Sequence, residues 1–459
     1  MEQITKPHCG ARLDRLPDCR WHSSMFAIVA FGLLVCWSNA VGGLILAQLK
    51  ELGWTDNSTT ATFSAITTAG MFLGALVGGI IGDKTGRRNE FILYEAIHIA
   101  SMVVGAFSPN MDFLIACRFV MGVGLGALLV TLFAGFTEYM PGRNRGTWSS
   151  RVSFIGNWSY PLCSLIAMGL TPLISAEWNW RVQLLIPAIL SLIATALAWR
   201  YFPESPRWLE SRGRYQEAEK VMRSIEEGVI RQTGKPLPPV VIADDGKAPQ
   251  AVPYSALLTG VLLKRVILGS CVLIAMNVVQ YTLINWLPTI FMTQGINLKD
   301  SIVLNTMSMF GAPFGIFIAM LVMDKIPRKT MGVGLLILIA VLGYIYSLQT
   351  SMLLITLIGF FLITFVYMYV CYASAVYVPE IWPTEAKLRG SGLANAVGRI
   401  SGIAAPYAVA VLLSSYGVTG VFILLGAVSI IVAIAIATIG IETKGVSVES
   451  LSIDAVVNK

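Results

Sequence analysis

Charged side chains are scarce in this chain: Asp, Glu, Lys and Arg make up 13% of 459 residues, about half the ~25% of a soluble globular domain. Histidine is scarcer, with three copies at positions 8, 22 and 98 that lie too far apart for a metal site. The seven cysteines (9, 19, 36, 117, 163, 271 and 371) show neither ligand spacing nor a disulfide pattern. No nucleophile–base set and no phosphate loop is present. Gly122-Val-Gly124-Leu-Gly126 has no preceding strand and sits inside an apolar run, so it reads as helix packing rather than a nucleotide loop. Neither an enzyme nor a bound cofactor is expected.

Apolar residues fill the space that charge leaves. They make up 55% of the chain, and the mean hydropathy is +0.70. Twelve stretches have the length and composition of membrane spans, at about 23–48, 59–81, 91–108, 112–137, 148–173, 182–201, 266–291, 301–323, 331–348, 353–378, 392–413 and 418–440. Helices are expected because lipid offers no partner to open backbone, and no segment alternates as a barrel strand does. The polar stretch from Met1 to Arg20 precedes the first apolar run, so that run reads as a span and not as a cleaved signal peptide. With the N-terminus taken as cytoplasmic, 27 of 33 Lys and Arg fall on the cytoplasmic side. Both termini are then cytoplasmic by the positive-inside rule. The same bias accounts for the net charge of +7 without a nucleic-acid partner.

The charged loops repeat. Gly82-Asp83-Lys84-Thr85-Gly86-Arg87-Arg88 returns as Met323-Asp324-Lys325-Ile326-Pro327-Arg328-Lys329, with Asp83 and Asp324 241 residues apart. Glu138 with Arg145-Gly146 returns as Glu380 with Arg389-Gly390, at an offset of 242. Pro203-Glu204-Ser205 returns weakly as Ile441-Glu442-Thr443, at an offset of 238. Three matches in one register imply two similar halves, an arrangement common in secondary transporters. The expected organisation is a cytoplasmic N-terminal segment (1–22), a six-helix bundle (23–202), a cytoplasmic linker (203–264), a second bundle (265–441) and a cytoplasmic tail (442–459). Within the linker, Ala218, Val221, Met222, Ile225 and Val229 form the stripe of an amphipathic helix over 214–231.

The Gly82–Arg88 motif resembles the loop motif of the major facilitator superfamily. Arg118-Phe-Val-Met-Gly122-Val-Gly124 resembles that family's fourth-helix motif. Pro203-Glu204-Ser205-Pro206-Arg207-Trp208-Leu209 is similar to the signature of its sugar-porter branch and that branch's organic-ion relatives. The resemblance covers essentially the whole chain. It implies an all-α membrane protein of twelve helices in two pseudo-symmetric six-helix bundles, working by alternating access. It also implies a cytoplasmic latch of Asp83, Arg87, Arg88, Glu138, Arg145, Glu204, Asp324, Arg328, Glu380, Arg389 and Glu442. Solvated helix ends and membrane anchors are the plainer reading of the same charges. Met323 and Pro327 replace two glycines in the second copy, which is expected to be looser.

Substrate chemistry must come from polar groups inside the spans. Arg399 lies eight residues past Ser391, about 12 Å along the helix. Asn395 is one turn earlier, and Gly398 and Gly402 leave room beside it. A guanidinium there could clamp a carboxylate, as the resemblance to organic-anion carriers also suggests; a structural arginine is the alternative. Asn277, Tyr281 and Asn285 form a polar stripe on the seventh span with Gln280 beside it, either a ligand wall or interhelical glue. Asn157 and Trp158 in the fifth span and Tyr369 in the tenth complete the candidate set. Arg118 resembles the fourth-helix arginine tied to coupling, and Arg151 is expected to pair with Glu138. Proton-coupled sugar porters carry an acid in the first helix, where this chain reads Cys36-Trp37-Ser38-Asn39. Glu95 with His98 is then the candidate proton-coupling pair; symport, uniport and exchange all stay open. The expected function is transport of a small polar or anionic metabolite, such as a sugar or organic acid, by a monomer in the bacterial inner membrane. A non-transporting sensor on the same fold is the alternative.

Overall fold

The computed structural model describes residues 7–17, 19–140, 145–240, 253–383 and 386–444. Helices account for all twelve apolar stretches, and no strand occurs among the described residues. A short α1 (Cys9–Asp14) precedes the first span, which is split into α2 (Arg20–Val35) and α3 (Gly42–Glu51). The next three spans are α4 (Asn57–Thr85), α5 (Arg87–Ala106) and α6 (Met111–Tyr139). The fifth is split into α7 (Arg145–Gly156) and α8 (Ser159–Leu170), and α9 (Ala176–Tyr201) is the sixth. The linker supplies α10 (Pro206–Ser211), α11 (Tyr215–Thr233) and α12 (Tyr254–Leu257).

In the second half, α13 (Gly260–Thr293) is the seventh span, while α14 (Leu298–Met309) and α15 (Gly311–Val322) form the eighth. After α16 (Arg328–Ser347), the tenth span runs through α17 (Met352–Cys371), a π-helical turn at Tyr372–Tyr377 and α18 (Val378–Glu380). The last two spans form α19 (Lys387–Ile439), broken at Gly417 with φ 64° and ψ −158°. That backbone conformation is open in practice only to glycine.

Among the described residues, eight helices are long and apolar enough to cross a bilayer one by one. The broken first and fifth spans, the charge-bearing α5 and the fusion of two spans in α19 account for the other four. Large apolar side chains stay exposed along the helices, among them Leu192 at 59%, Val411 at 64% and Ile431 at 64%. Water would not tolerate so many outward apolar faces, and lipid does.

Contacts divide the chain into two compact units. Unit 1 comprises Met1–Asn39, Gly70–Ser159 and Leu184–Gly246; unit 2 comprises Ala40–Ala69, Tyr160–Gln183 and Lys247–Lys459. In unit 1, Gly70, Gly74 and Gly78 bring α4 against the backbone of α6 at Phe119, Val123 and Ala127. In unit 2, Gly311 and Gly315 bring α15 against Phe360 and Thr364 of α17. Small residues four apart permit this close approach in membranes. The register of 241 that relates the charged loops also relates Gly70 to Gly311 and Gly74 to Gly315.

Within unit 1 the N-terminal segment docks on the linker. Leu13 and Leu16 are fully buried against Trp208, Met222 and Ile225. Arg12 forks onto Glu226 at 3.0 and 2.7 Å and also reaches Glu219, while Arg15 meets Glu226 at 2.6 Å. Burial alone would raise the Glu226 carboxyl, but Arg12 and Arg15 outweigh it and hold it below the usual range. Its contribution is therefore complete above the ordinary glutamate value of about 4.3 and is lost as pH falls through the lower folded value. Hydrogen exchange across residues 9–16 should accelerate as pH falls below about 4.3, and unchanged protection would remove these ion pairs from the docking.

Candidate transport site and charge network

Each unit carries one copy of a charged knot at the base of its helices. In unit 1, α5 begins at Arg87, and Glu204 caps it by accepting from the backbone N–H groups of Arg87 at 2.7 Å and Arg88 at 3.3 Å. Arg87 Nε then donates to Glu138 at 2.9 Å. In unit 2, α16 begins at Arg328, and Glu442 accepts from the N–H groups of Arg328 at 2.7 Å and Lys329 at 3.1 Å. Arg328 Nε and Nη2 fork onto Glu380 at 3.0 and 3.1 Å, and Asp324 lies 3.2 Å from Nη2. A carboxylate at a helix N-terminus meets unpaired N–H groups and the positive end of the dipole.

The capping that the loop-motif acid could perform is done by Glu204 and Glu442. The side chains of Asp83 and Arg145 lie outside the described residues. Among the described residues the second copy is closely bonded, where its lost glycines led to the expectation of a looser fit. The two copies enter the helix differently: Gly86 has φ 94°, whereas Pro327 sits at φ −56° and ψ 140°, ordinary for proline. A Cβ on Gly86 would run into the Glu204 carboxylate. Gly86→Ala should therefore cost about 2 kcal/mol, read as a lower thermal midpoint, and an unchanged midpoint would contradict this geometry.

Two further network candidates meet aromatic rings. Arg88 donates to the Trp199 carbonyl at 2.5 Å and lies over its ring, while Arg389 lies 5.2 Å over the Tyr254 ring. Arg151 does not pair with Glu138, which is taken by Arg87; it is exposed and lies 5.0 Å over Trp148. One turn of α7 turns the guanidinium onto the nearer indole face, where a cation is also stabilised.

Polar groups within the spans of unit 1 gather at the break between α2 and α3. Arg118, 1% exposed, donates through Nη1 to the Ser38 carbonyl at 2.7 Å. Ser38 Oγ is 2.7 Å from His98 Nε2, and His98 Nδ1 is 3.5 Å from Glu95 Oε2, with both residues fully buried. Asn157 donates to the Ser153 carbonyl at 2.8 Å, where α7 ends, and Trp158 follows it at 37% exposure.

In unit 2 the seventh span supplies the polar wall. Asn277 donates through Nδ2 to the Leu273 carbonyl at 2.7 Å, with Gly398 of α19 against its amide. Tyr281 packs on Gly402, and Gln280 lies near the Tyr160 and Tyr367 hydroxyls without a hydrogen bond to Tyr367 among the described residues. Asn285 is 4% exposed, and its amide makes no hydrogen bond among the described residues. Gly43 of α3 packs directly on the Ile284 and Asn285 carbonyls. The Tyr369 hydroxyl donates to the Val272 carbonyl at 3.1 Å and its ring packs tilted on Tyr372 with centroids 5.7 Å apart, which places it in packing rather than at an open surface. Asn395 is exposed and donates to the Ser391 carbonyl. Arg399 Nη1 is buried without a hydrogen-bond partner among the described residues.

Two contacts were not anticipated from sequence. Tyr160 and Tyr367 meet edge-on with centroids 5.3 Å apart, and Asn305 donates to Ser164 at 3.1 Å. Tyr160 and Ser164 share one face of α8 at helical spacing, the signal that could have flagged them.

Two repeated charged knots, interrupted spans and buried polar clusters define a multi-pass membrane transporter. The profile of the Major Facilitator Superfamily matches residues 26–406, and the chain belongs to that family. It is 99% identical over the full length of both chains to YdjK of Escherichia coli (strain K12), named as a metabolite transport protein. It is 44% identical to the inner membrane metabolite transport protein YdjE of the same organism, over 98% of this chain and 99% of that one. The xylose transporter XylE from E. coli, in a partially occluded inward open conformation, superposes with a TM-score of 0.73 at 18% identity. That match covers 93% of this chain and 100% of the other. The architecture is thus twelve transmembrane helices in two six-helix bundles.

Proposed function

We propose that the chain is a secondary carrier that moves a small polar or anionic metabolite across the bacterial inner membrane by alternating access, with both termini cytoplasmic. The observation that carries the anionic preference is Arg399: a guanidinium inside a span with one buried nitrogen left unbonded among the described residues. Such a group is costly in a membrane unless a partner arrives, and a carboxylate is the partner its fork fits. Asn277, Gln280, Tyr281 and Asn285 supply hydroxyl-binding groups, with Asn395 beside Arg399 and Asn157, Trp158 and Tyr369 as outlying members. The Lys and Arg bias of the loops supports the orientation, and relatives named as metabolite transporters support the class. A proton is the second solute in this reading, held at Glu95 and His98.

A thermal-shift screen of the purified protein against neutral sugars and their acid counterparts, beginning with D-xylose and D-xylonate, tests the preference. A ligand that binds only the native state raises the midpoint. Stabilisation by acids, absent in Arg399→Ala, is expected; stabilisation by neutral sugars that survives in that variant would move the site to the seventh-span amides. Asn277→Ala should weaken ligand stabilisation about tenfold in apparent affinity, and full retention would take Asn277 out of the site.

A further inference from the structure

The polar cluster at the break in the first span has more chemistry than a buried packing role needs. Glu95 and His98 are both fully buried, one turn apart on α5, with Oε2 3.5 Å from Nδ1. Neither of these two atoms has a hydrogen-bond partner among the described residues. On the far side of the ring, Nε2 lies 2.7 Å from Ser38 Oγ, and the carbonyl of the same serine accepts from Arg118. Ser38 stands between Val35, where α2 ends, and Gly42, where α3 begins. One residue therefore touches the titratable pair through its side chain and the buried arginine through its backbone.

We infer that Glu95 and His98 form a single proton-binding site, and that Ser38 passes its protonation state to the break in the first span. The assignment of a transport role to that proton rests on the carrier reading above; the site itself does not. With Glu95 ionised, Nδ1 must carry the imidazole hydrogen, because two acceptors would otherwise face each other. Nε2 then accepts from the Ser38 hydroxyl. A proton arriving from water has two destinations. On the carboxylate, it converts Oε2 into a donor and reverses the demand on Nδ1, so that Nε2 carries the ring hydrogen. On Nε2, it makes the ring an imidazolium with donors on both sides. In either case the Ser38 hydroxyl changes from donor to acceptor, and its hydrogen turns to another acceptor. The break leaves main-chain carbonyls without helical partners, and these are the acceptors at hand. Proton uptake thus exchanges one hydrogen bond at the only non-helical stretch of the first span.

The other titratable or charged groups facing this pair are few. Cys36 Sγ lies 3.9 Å from Glu95 Oε1 at the break, and α6 contributes Arg118 through Ser38 and Cys117 beside Gly105. On α5 itself, Glu90 and Tyr94 are buried one turn or more before Glu95.

The test needs no substrate. In acid-minus-neutral infrared difference spectra of the full-length protein in liposomes, a protonated-carboxyl or an imidazolium band should appear and be lost in Glu95→Gln. Between the same acid and neutral conditions, hydrogen exchange of the peptide spanning 36–41 should change about fivefold after correction for the intrinsic rate, the equivalent of one net hydrogen bond. Ser38→Ala should remove that response, and Ser38→Thr, which keeps the hydroxyl, should restore it. A band that persists in Glu95→Gln would overturn the proton site. An exchange response unchanged in Ser38→Ala would overturn the transmission through Ser38. Ligand stabilisation in the thermal-shift screen, measured on Ser38→Ala, separates either failure from a failure of the carrier reading.

Discussion

Arg399→Ala is expected to lower the kcat/KM of uptake for an anionic substrate by about a hundredfold while the protein still inserts and folds. The size follows from one charge-assisted contact made in a water-poor site, worth about 3 kcal/mol. Folding should survive because Nη1 makes no hydrogen bond among the described residues, so its removal strands no buried partner there. Arg399→Lys keeps the charge but not the planar fork, and should recover about tenfold of the loss. Neutral sugars should be affected far less than their acids in both variants. Uptake of radiolabelled D-xylonate and D-xylose into liposomes carrying each variant reads both comparisons. An equal loss for acid and sugar would make Arg399 a structural arginine, and an unchanged rate would take it out of the site.

The architecture was legible in the sequence because a membrane imposes a simple rule: an apolar run of about 20 residues must become a helix. The repeat was legible for the same reason, since charged loops stand out between such runs. Partner choice was harder to read. Arg87 and Glu138 were both visible as network members, yet the pairing of Glu138 with Arg87 rather than Arg151 depends on how α5, α6 and α7 are rotated. Apolar helices carry little rotational signal, because nearly every face is apolar. The helix breaks were equally hidden. Cys36 to Val41 reads as continuous apolar sequence, with Ser38 and Asn39 the only hint of backbone competition. That break positions Ser38 between His98 and Arg118, so the cluster could be named only in part from Glu95 and His98. Arg399 is the opposite case: an isolated charge in a span is conspicuous, and its lack of a bonded partner at Nη1 required the structure.

Arg328→Ala should destabilise the protein more than Arg87→Ala, although the two residues occupy equivalent places in the repeat. Arg328 is 5% exposed and binds Glu380 through two nitrogens, with Asp324 and the Met323 carbonyl also bonded. Removing it leaves Glu380 with Thr443 as its remaining side-chain partner, a half-broken pair that costs about 3 kcal/mol. Arg87 is less buried, with 17% of its side chain exposed against 6% for Arg328, and its backbone N–H to Glu204 survives the substitution; the smaller loss of a more solvated ion pair, about 1 kcal/mol, is expected there. The capping acids should differ in the same direction. Burial raises the Glu204 carboxyl above its ordinary value despite the backbone donors. Burial also opposes the charge of Glu442, but the N–H groups of Arg328, Lys329 and Lys444 outweigh it and hold that carboxyl low. A depressed acid stabilises above its unfolded value and loses that contribution as pH falls through the folded one; a raised acid favours the fold below its unfolded value and loses that advantage as pH rises. At neutral pH, Glu442→Gln should therefore lower the thermal midpoint and Glu204→Gln should change it little. Midpoints of the four variants in one detergent decide the matter. Equal losses in the two halves would mean that the knots are interchangeable, and that Pro327 provides no tighter seat for its arginine than Gly86 does.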